Sequence, residues 1–426
     1  MKLSWTGFSK KSLQERLKFL QDYHLLNKDN QIGLEHNYTL PLSTADQMSE
    51  NVIGTLALPY ALVPDVMVDE QIYQVPFATE EPSVVAAATF AAKIIKRSGG
   101  FKTTVHNRQM VGQVALYHVP DIKNAIKNIQ EKYQKLLKLA NQAHPSIVKR
   151  GGGARHLHMK YLNGEAEFLI VYLTVDTQEA MGANILNTML EALKTPLEDL
   201  SGGKSLMAIL SNYATEALVT ATCEIDIRFL DRNKSEALDI AKKIVLASQF
   251  AKQDPYRAST HNKGIFNGVD AVVLATGNDW RAIEAGAHAY ASRNGTYQGL
   301  TTWSIKEATQ TLYGEITLPL PIATKGGSIG LNPTVQVSFD LLKHPTAKEL
   351  ASIIASIGLA QNFAALKALV STGIQHGHMK LQAKSLALLA GAQNTEVAPL
   401  VSQLISEKNF SLKRAQEILE DFRQKS

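Results

Sequence analysis

Five short segments of this chain hold reactive residue types in unusual local settings. The first, PFATEEPS (76–83), sets two carboxylates before a proline and an apolar run. Pro82 suits the first position of a helix, which would put Glu81 near the N-cap, where free amides favour a carboxylate. An ordinary capping acid would look the same. The second, Asp254 to Asp270, gathers Arg257, His261, Asn262, Lys263 and Asn267 in what reads as a loop before an apolar strand. Sites are often built on such loops. Arg257 could clamp a carboxylate with two parallel bonds, and Lys263 could polarise a carbonyl; a plain polar surface loop is the competing reading. The third, ATGNDW (275–280), ends the strand-like AVVLA at a glycine turn and starts a helix at Asp279. Alone, Asp279 would be a cap. The fourth, GIQHGH (373–378), carries two histidines at i, i+2, as do His156 and His158. That spacing is not the i, i+4 of a helical zinc pair, and no cysteine or carboxylate set completes a site, so no metal is expected. The fifth, DTQEAMGAN (176–184), joins a strand to a helix. Gly182 there would let a phosphate approach a helix N-terminus. No G-x-G-x-x-G fingerprint occurs anywhere, so a standard Rossmann site is excluded.

These segments need elements to position them. The chain has 426 residues, 45% hydrophobic and 19% charged, which fits two or three ordinary globular units and no coiled coil or disordered chain. Its one cysteine, Cys223, rules out an internal disulfide framework and points to a reducing, cytoplasmic compartment. Cys223 lies in the alternating ALVTATCEIDIRF and reads as a packed strand thiol. The apolar stretches Asn51–Pro64 and Ala351–Leu366 fall short of the roughly 18 residues a membrane span needs. Both read as buried core. The N-terminal lysines lack an apolar stretch after them, so no signal peptide is expected; Ser9 reads as the cap of a first helix. The net charge of +5 names no partner. Lysines and arginines from Lys123 to Arg155 could draw a polyanion, but no nucleic-acid signature accompanies them.

The patterns fall into units. Residues 1–105 mix helices with the punctuated ENVIGTLALPYALVPDVMV and a strong helix at Val84–Lys96. Residues 106–210 read as a compact α+β insert, with strands at 110–119 and 167–176, an alternating run after Gly153, and helices at about 121–141 and 182–194. Residues 211–370 return to a larger mixed unit, with strands near 217–230 and 271–276, helices near 235–250 and 279–292, an antiparallel stretch at 310–340 and a helix at 347–370. The tail, 371–426, reads as a helical appendage of the kind that forms lids.

Taken together, ENVIG (50–54), TEEPSVVAA (79–87), EAMGAN (179–184), DPYRASTHNKG (254–264), ATGNDWRA (275–282) and GIQHGHM (373–379) closely resemble the class II, bacterial-type 3-hydroxy-3-methylglutaryl-CoA reductases, essentially end to end. The resemblance implies an α+β fold: a discontinuous large α/β domain (1–105 and 211–370) for the CoA thioester, an inserted non-Rossmann dinucleotide domain (106–210) and a C-terminal flap (371–426). It implies a homodimer or larger, with sites at the subunit interface. It places catalytic roles on Glu81, Lys263, Asp279 and the flap residue His378. Ser83, Arg257, Asn267 and Asn212 would meet the substrate. The cofactor would be held by Glu179, Met181, Gly182, Asn184 and Arg150. Some relatives carry aspartate where Glu179 stands.

The implied reaction reduces the thioester to mevalonate and CoA with two hydrides. A lysine cation suits the developing oxyanion, and a histidine can protonate departing CoA. Glu81 would give the alcohol proton. The helix N-terminus and Lys263 favour its carboxylate, while burial and like-charged Asp279 favour its acid. Asp279 would also keep Lys263 charged. Lys149, Arg150 and Arg155 could meet a 2′-phosphate, so NADPH is expected, with NADH possible. Two alternatives are another CoA-thioester oxidoreductase on this scaffold and a non-catalytic binding homologue. Arg257 and Ser83 favour a carboxylate-bearing acyl group, and the filled catalytic positions disfavour lost activity.

Overall fold

The structure, a computed structural model, describes residues 3–371 and 374–424, without the side chains of 374–381 and Asn394. Ten strands among the described residues are β1 (Tyr60–Val68), β2 (Gln71–Ala78), β3 (Phe101–Val105), β4 (Met110–Tyr117), β5 (Gly153–Asn163), β6 (Glu167–Asp176), β7 (Lys204–Leu210), β8 (Leu218–Asp226), β9 (Thr301–Lys306) and β10 (Thr311–Pro319). They form two sheets. One has the order β2-β1-β3-β8-β10-β9, with only β1 and β3 parallel. The other, β5-β6-β4-β7, is antiparallel throughout.

Each sheet has its own core. On β8 the alternation sends Val219, Ala221, Cys223 and Ile225 inward. Burial pushes the Cys223 thiol well above its usual range, so it packs as an inert side chain. Helices Val84–Arg97, Pro255–Ala275 and Ala347–Val370 pack on this sheet. Ala347–Val370 is the one described helix long and apolar enough to cross a membrane, yet its residues from Leu350 to Ala364 are all buried in the core. The second sheet packs against Ile122–Glu131, Tyr133–Ala143 and Ala183–Ser201. The tail helices Ile374–Leu389, Asn394–Glu407 and Leu412–Gln424 share a third core around Leu400, Leu404 and Ile418.

Several expectations need correction. The polar loop and strand expected over 254–276 are one helix, Pro255–Ala275. Asp254 caps it by accepting from the Arg257 amide at 3.0 Å, and Pro255 opens its first turn. Its glycines read as loop signals, but Gly268 serves a helix crossing: a Cβ there would lie 2.9 Å from Ile357. The β-branched run Val272-Val273 is overridden by that packing. Residues 51–58 are not core. They run without regular structure, and Ile53 and Leu56 are 100% and 93% exposed. Ser12 with Glu15, rather than Ser9, caps the first helix. The basic helix breaks in two at Lys132, and residues Pro333–Leu341 are helical rather than antiparallel strand. The helix after Gly182 continues to Ser201.

One buried acid gives this fold a pH signature. Asp270 lies against Glu284, and its Oδ1 is buried without a donor among the described residues. Burial, and then the charge of Glu284, push the Asp270 carboxyl up to about 8. Between the unfolded value of about 4 and that level, the folded chain binds more protons than the unfolded one. This contribution to stability is therefore full below about pH 4 and declines as pH rises toward 8. Asp270→Asn keeps the shape and removes the titration. Urea unfolding at about pH 5 and about pH 8 should show the variant gaining on the parent at the higher pH. A gap that stays the same at both pH values would contradict this.

Candidate active site

Glu81 sits in the bend after β2, its amide donating to Thr79 Oγ1 at 3.3 Å. The next helix starts at Val84, so Pro82 is not its first residue. Ser83 is the N-cap, in a left-handed conformation at φ 76°. Glu81 therefore does not cap that helix. Its carboxylate turns to the Pro255–Ala275 helix, where Lys263 Nζ donates to Oε2 and Asn267 Nδ2 reaches Oε1 at 3.4 Å. Lys263 and Asn267 are one turn apart, at i and i+4, so the helix itself aims both at one carboxylate.

The neighbours of this trio are unsatisfied. Ser83 Oγ is buried with no hydrogen-bond partner, and its strained backbone is the sort held at ligand sites. The Arg257 guanidinium, in the first turn of the same helix, has no ion pair among the described residues, and partial burial pushes it below its usual range. An unpaired guanidinium and an orphan hydroxyl are what an anionic ligand would satisfy. The Lys263 side chain is 60% exposed, so the pair is not in a dry pocket within one chain.

Asp279 stands apart. It caps Trp280–Ala291, accepting from the Ala282 amide at 3.1 Å, and faces Arg281 at 3.7 Å. From Lys263 to Ala275 the helix rises about 18 Å, so one chain does not bring Asp279 to its own Lys263. Asn212 lies on the Asp279 side, its carbonyl packed where a Cβ on Gly286 would lie 2.5 Å away. The expected residues thus form two groups: Glu81, Lys263, Asn267, Ser83 and Arg257 in one, Asp279 and Asn212 in the other.

The cofactor turn adjoins the second group. Gly182 is the N-cap of Ala183–Ser201 at φ 99°, with no side-chain cap and no acid in the first turn, which leaves the leading amides free for an anion. The glycine is also required internally, because a Cβ would lie 2.1 Å from Thr177 Cγ2. Met181 is half-buried and Asn184 exposed at the same end. Arg150 is exposed after Pro145–Lys149, whereas Arg155 is held by Asp176 at 3.2 Å and by Gly151 O. Arg155 is thus already engaged, and Asp176 is an acid beside the glycines that sequence reading missed. The Glu179 carboxylate is occupied too, accepting from the Thr324 hydroxyl at 2.6 Å and the Ala347 amide at 2.8 Å. His158 stacks on Tyr172 at 4.5 Å, and Tyr133 bonds His156. His378 lies on the Ile374–Leu389 helix; its side chain and Gly373 are outside the described residues.

Sequence reasoning also missed Arg108, 6% exposed, which donates to Ile322 O and to Ala180 O at 3.5 Å. It missed Asn278, Thr324 and the glycine-rich TKGGSIG beside them, whose glycines could have flagged a loop. His261 belongs to the core: it meets Thr301 at 2.6 Å and Asn362 at 3.1 Å, and burial pushes it down to about 3.

One end of the Pro255–Ala275 helix thus carries a lysine–carboxylate pair with unsatisfied anion-binding groups, and the other end adjoins an open helix N-terminus on a non-Rossmann sheet. Residues 12–383 match the family model for hydroxymethylglutaryl-coenzyme A reductase. The fold is similar to that of the 3-hydroxy-3-methylglutaryl-coenzyme A reductase of Streptococcus pneumoniae, with TM-score 0.87 and 66% identity, covering 99% of this chain and 100% of that one. A class II reductase from that organism, bound to NADPH in open conformations, matches with TM-score 0.86 and 65% identity over 87% of this chain and 100% of that one. The Archaeoglobus fulgidus reductase is 40% identical over 418 residues, 98% of this chain and 94% of its own. The chain belongs to the hydroxymethylglutaryl-coenzyme A reductase family.

Proposed function

We propose that this enzyme reduces 3-hydroxy-3-methylglutaryl-CoA to mevalonate and CoA with two NADPH, as a cytoplasmic homodimer. The carrying observation is the Glu81 carboxylate held by Lys263 and Asn267 beside the unpaired Arg257 and Ser83. The open amides at Gly182, with Met181, Asn184 and Arg150, suit a dinucleotide phosphate, and the bound NADPH of the S. pneumoniae enzyme supports that choice over NADH. On this reading 106–210 is the dinucleotide domain, 1–105 with 211–370 the substrate domain, and 371–426 the flap.

A reduced nicotinamide cofactor held at the Gly182 turn would supply the hydride that the acyl carbon takes at each of two steps. Arg257 and Ser83 hold the substrate carboxylate. Lys263 sits against the acyl oxygen and stabilises the charge that grows there. Collapse of the hemithioacetal breaks the carbon–sulfur bond, and His378 protonates the departing sulfur. Glu81 then gives a proton to the alcohol oxygen after the second hydride. Asp279 and Asn212 reach the site from the partner subunit, since a helix length separates them from Lys263 within one chain. The bare apolar arm with Ile53 and Leu56 supplies surface for that pairing.

The test is reduced-nicotinamide absorbance with 3-hydroxy-3-methylglutaryl-CoA. Oxidation of two NADPH per thioester supports the reading; none with NADPH or NADH, from folded dimer, overturns it. His378→Ala should slow thioester reduction while leaving reduction of free mevaldehyde nearly intact. Equal loss in both assays would remove His378 from the sulfur-protonating step.

A further inference from the structure

Residues 322–325 follow β10 without regular structure, yet they are gripped from two sides. On one side, the Asn278 amide donates to Ala323 O at 3.0 Å and accepts from Ala323 N at 2.8 Å, as an adjoining strand would. The same amide nitrogen meets Thr276 Oγ1 at 3.1 Å, which fixes its direction. Asn278 is itself anchored by its backbone N–H to Val273 O at 2.9 Å, so it cannot drift from the end of the Pro255–Ala275 helix. Its chain neighbour is Asp279.

On the other side is the cofactor turn. Glu179 O accepts from the amides of Thr324 at 3.0 Å and Lys325 at 3.3 Å. The Glu179 carboxylate accepts from the Thr324 hydroxyl and from the Ala347 amide at the start of Ala347–Val370. Buried Arg108 ties Ile322 to Ala180 in the same turn. The segment is therefore a spacer bonded at one edge to the residue before Asp279 and at the other to the turn that opens at Gly182.

We propose that Asn278 and Thr324 are positioning residues: through the 322–325 spacer they fix Asp279 relative to the Gly182 turn to which the dinucleotide phosphate was assigned. Among the described residues, neither is bonded to the Glu81–Lys263 group. Glu179 serves the same spacer, so its carboxylate acts on geometry. The proposal rests on the reductase reading and on the role given there to Asp279. It adds how two separately folded cores present one register of donor and acceptor to a substrate bound elsewhere.

The experiment compares steady-state kinetics and thermal unfolding of the parent dimer, Asn278→Ala, Thr324→Val and the double variant. Thr324→Val keeps the shape and removes only the hydroxyl that meets Glu179. Misplacement of reacting groups by a fraction of an ångström to 1 Å should lower kcat by between about tenfold and about a hundredfold. The KM for 3-hydroxy-3-methylglutaryl-CoA should stay within about twofold, because the Glu81–Lys263 group is untouched. The double variant should lose little more than the worse single one, since both cuts release the same spacer. Unchanged kcat in folded Asn278→Ala and Thr324→Val, or losses that multiply as for independent sites, would overturn the proposal. Lower melting with kcat per folded enzyme intact overturns it too, leaving a purely structural clamp. Should Asn278→Ala fail to fold, Thr324→Val alone decides. An inactive parent dimer would instead overturn the reductase reading itself, which the parent control reveals separately.

Discussion

Lys263→Ala is expected to lower turnover by about a hundredfold to a thousandfold in both thioester reduction and mevaldehyde reduction. Both steps put negative charge on the same acyl oxygen, and the Lys263 ammonium is the cation that the helix aims at the site. Its loss also leaves the Glu81 carboxylate with Asn267 as its remaining described partner, at 3.4 Å. NADPH affinity, measured by fluorescence, should be nearly unchanged, since the turn at Gly182 makes no bond to Lys263 among the described residues. Lys263→Arg should rescue poorly: guanidinium keeps the charge, but its broad fork does not replace a compact ammonium beside one oxygen. Retained mevaldehyde reduction in Lys263→Ala would remove the lysine from the second step. Retention in both assays would remove it from the chemistry altogether.

Glu81, Lys263 and Asn267 stood out in the sequence as candidates, while the reason they meet did not. Strand β8 follows from its alternation, and β6 and the helix Ala347–Val370 from near-continuous apolar runs, which are local signals. The stretch 254–275 misleads because Gly264, Gly268 and the paired valines are local signs of loop and strand. What makes it helix is a crossing with Ile357, far away in the chain. Read as a loop, the stretch leaves Lys263 and Asn267 unrelated; read as a helix, they share a face. Glu179 shows the same limit. Its partners sit at Thr324 and Ala347, and no spacing within EAMGAN reveals them. The exposed run at 51–58 looks like core because composition records apolarity, whereas burial depends on what covers it, and a single chain covers it with nothing.

The separation of Asp279 from Lys263 leads to the sharpest expected result. A purified mixed dimer, one subunit carrying Lys263→Ala and the other Asp279→Asn, should keep about half the parental turnover, although each homodimer is inactive. On the proposed reading, each site of a two-fold dimer would draw Lys263 from one chain and Asp279 from the other. The mixed dimer therefore holds one site with both lesions and one with neither. Were each site built within one chain, every site in the mixed dimer would carry a lesion, and its turnover would match the dead homodimers. The geometry favours the first outcome. The Pro255–Ala275 helix crosses Ala347–Val370 at Gly268, and about 18 Å of it lie between Lys263 and the turn before Asp279. A lysine side chain cannot span that distance, and bending the helix would break the Gly268–Ile357 contact. The Glu81–Lys263 pair is partly exposed and Ile53 and Leu56 are almost fully so, and in the proposed dimer a second copy would cover both.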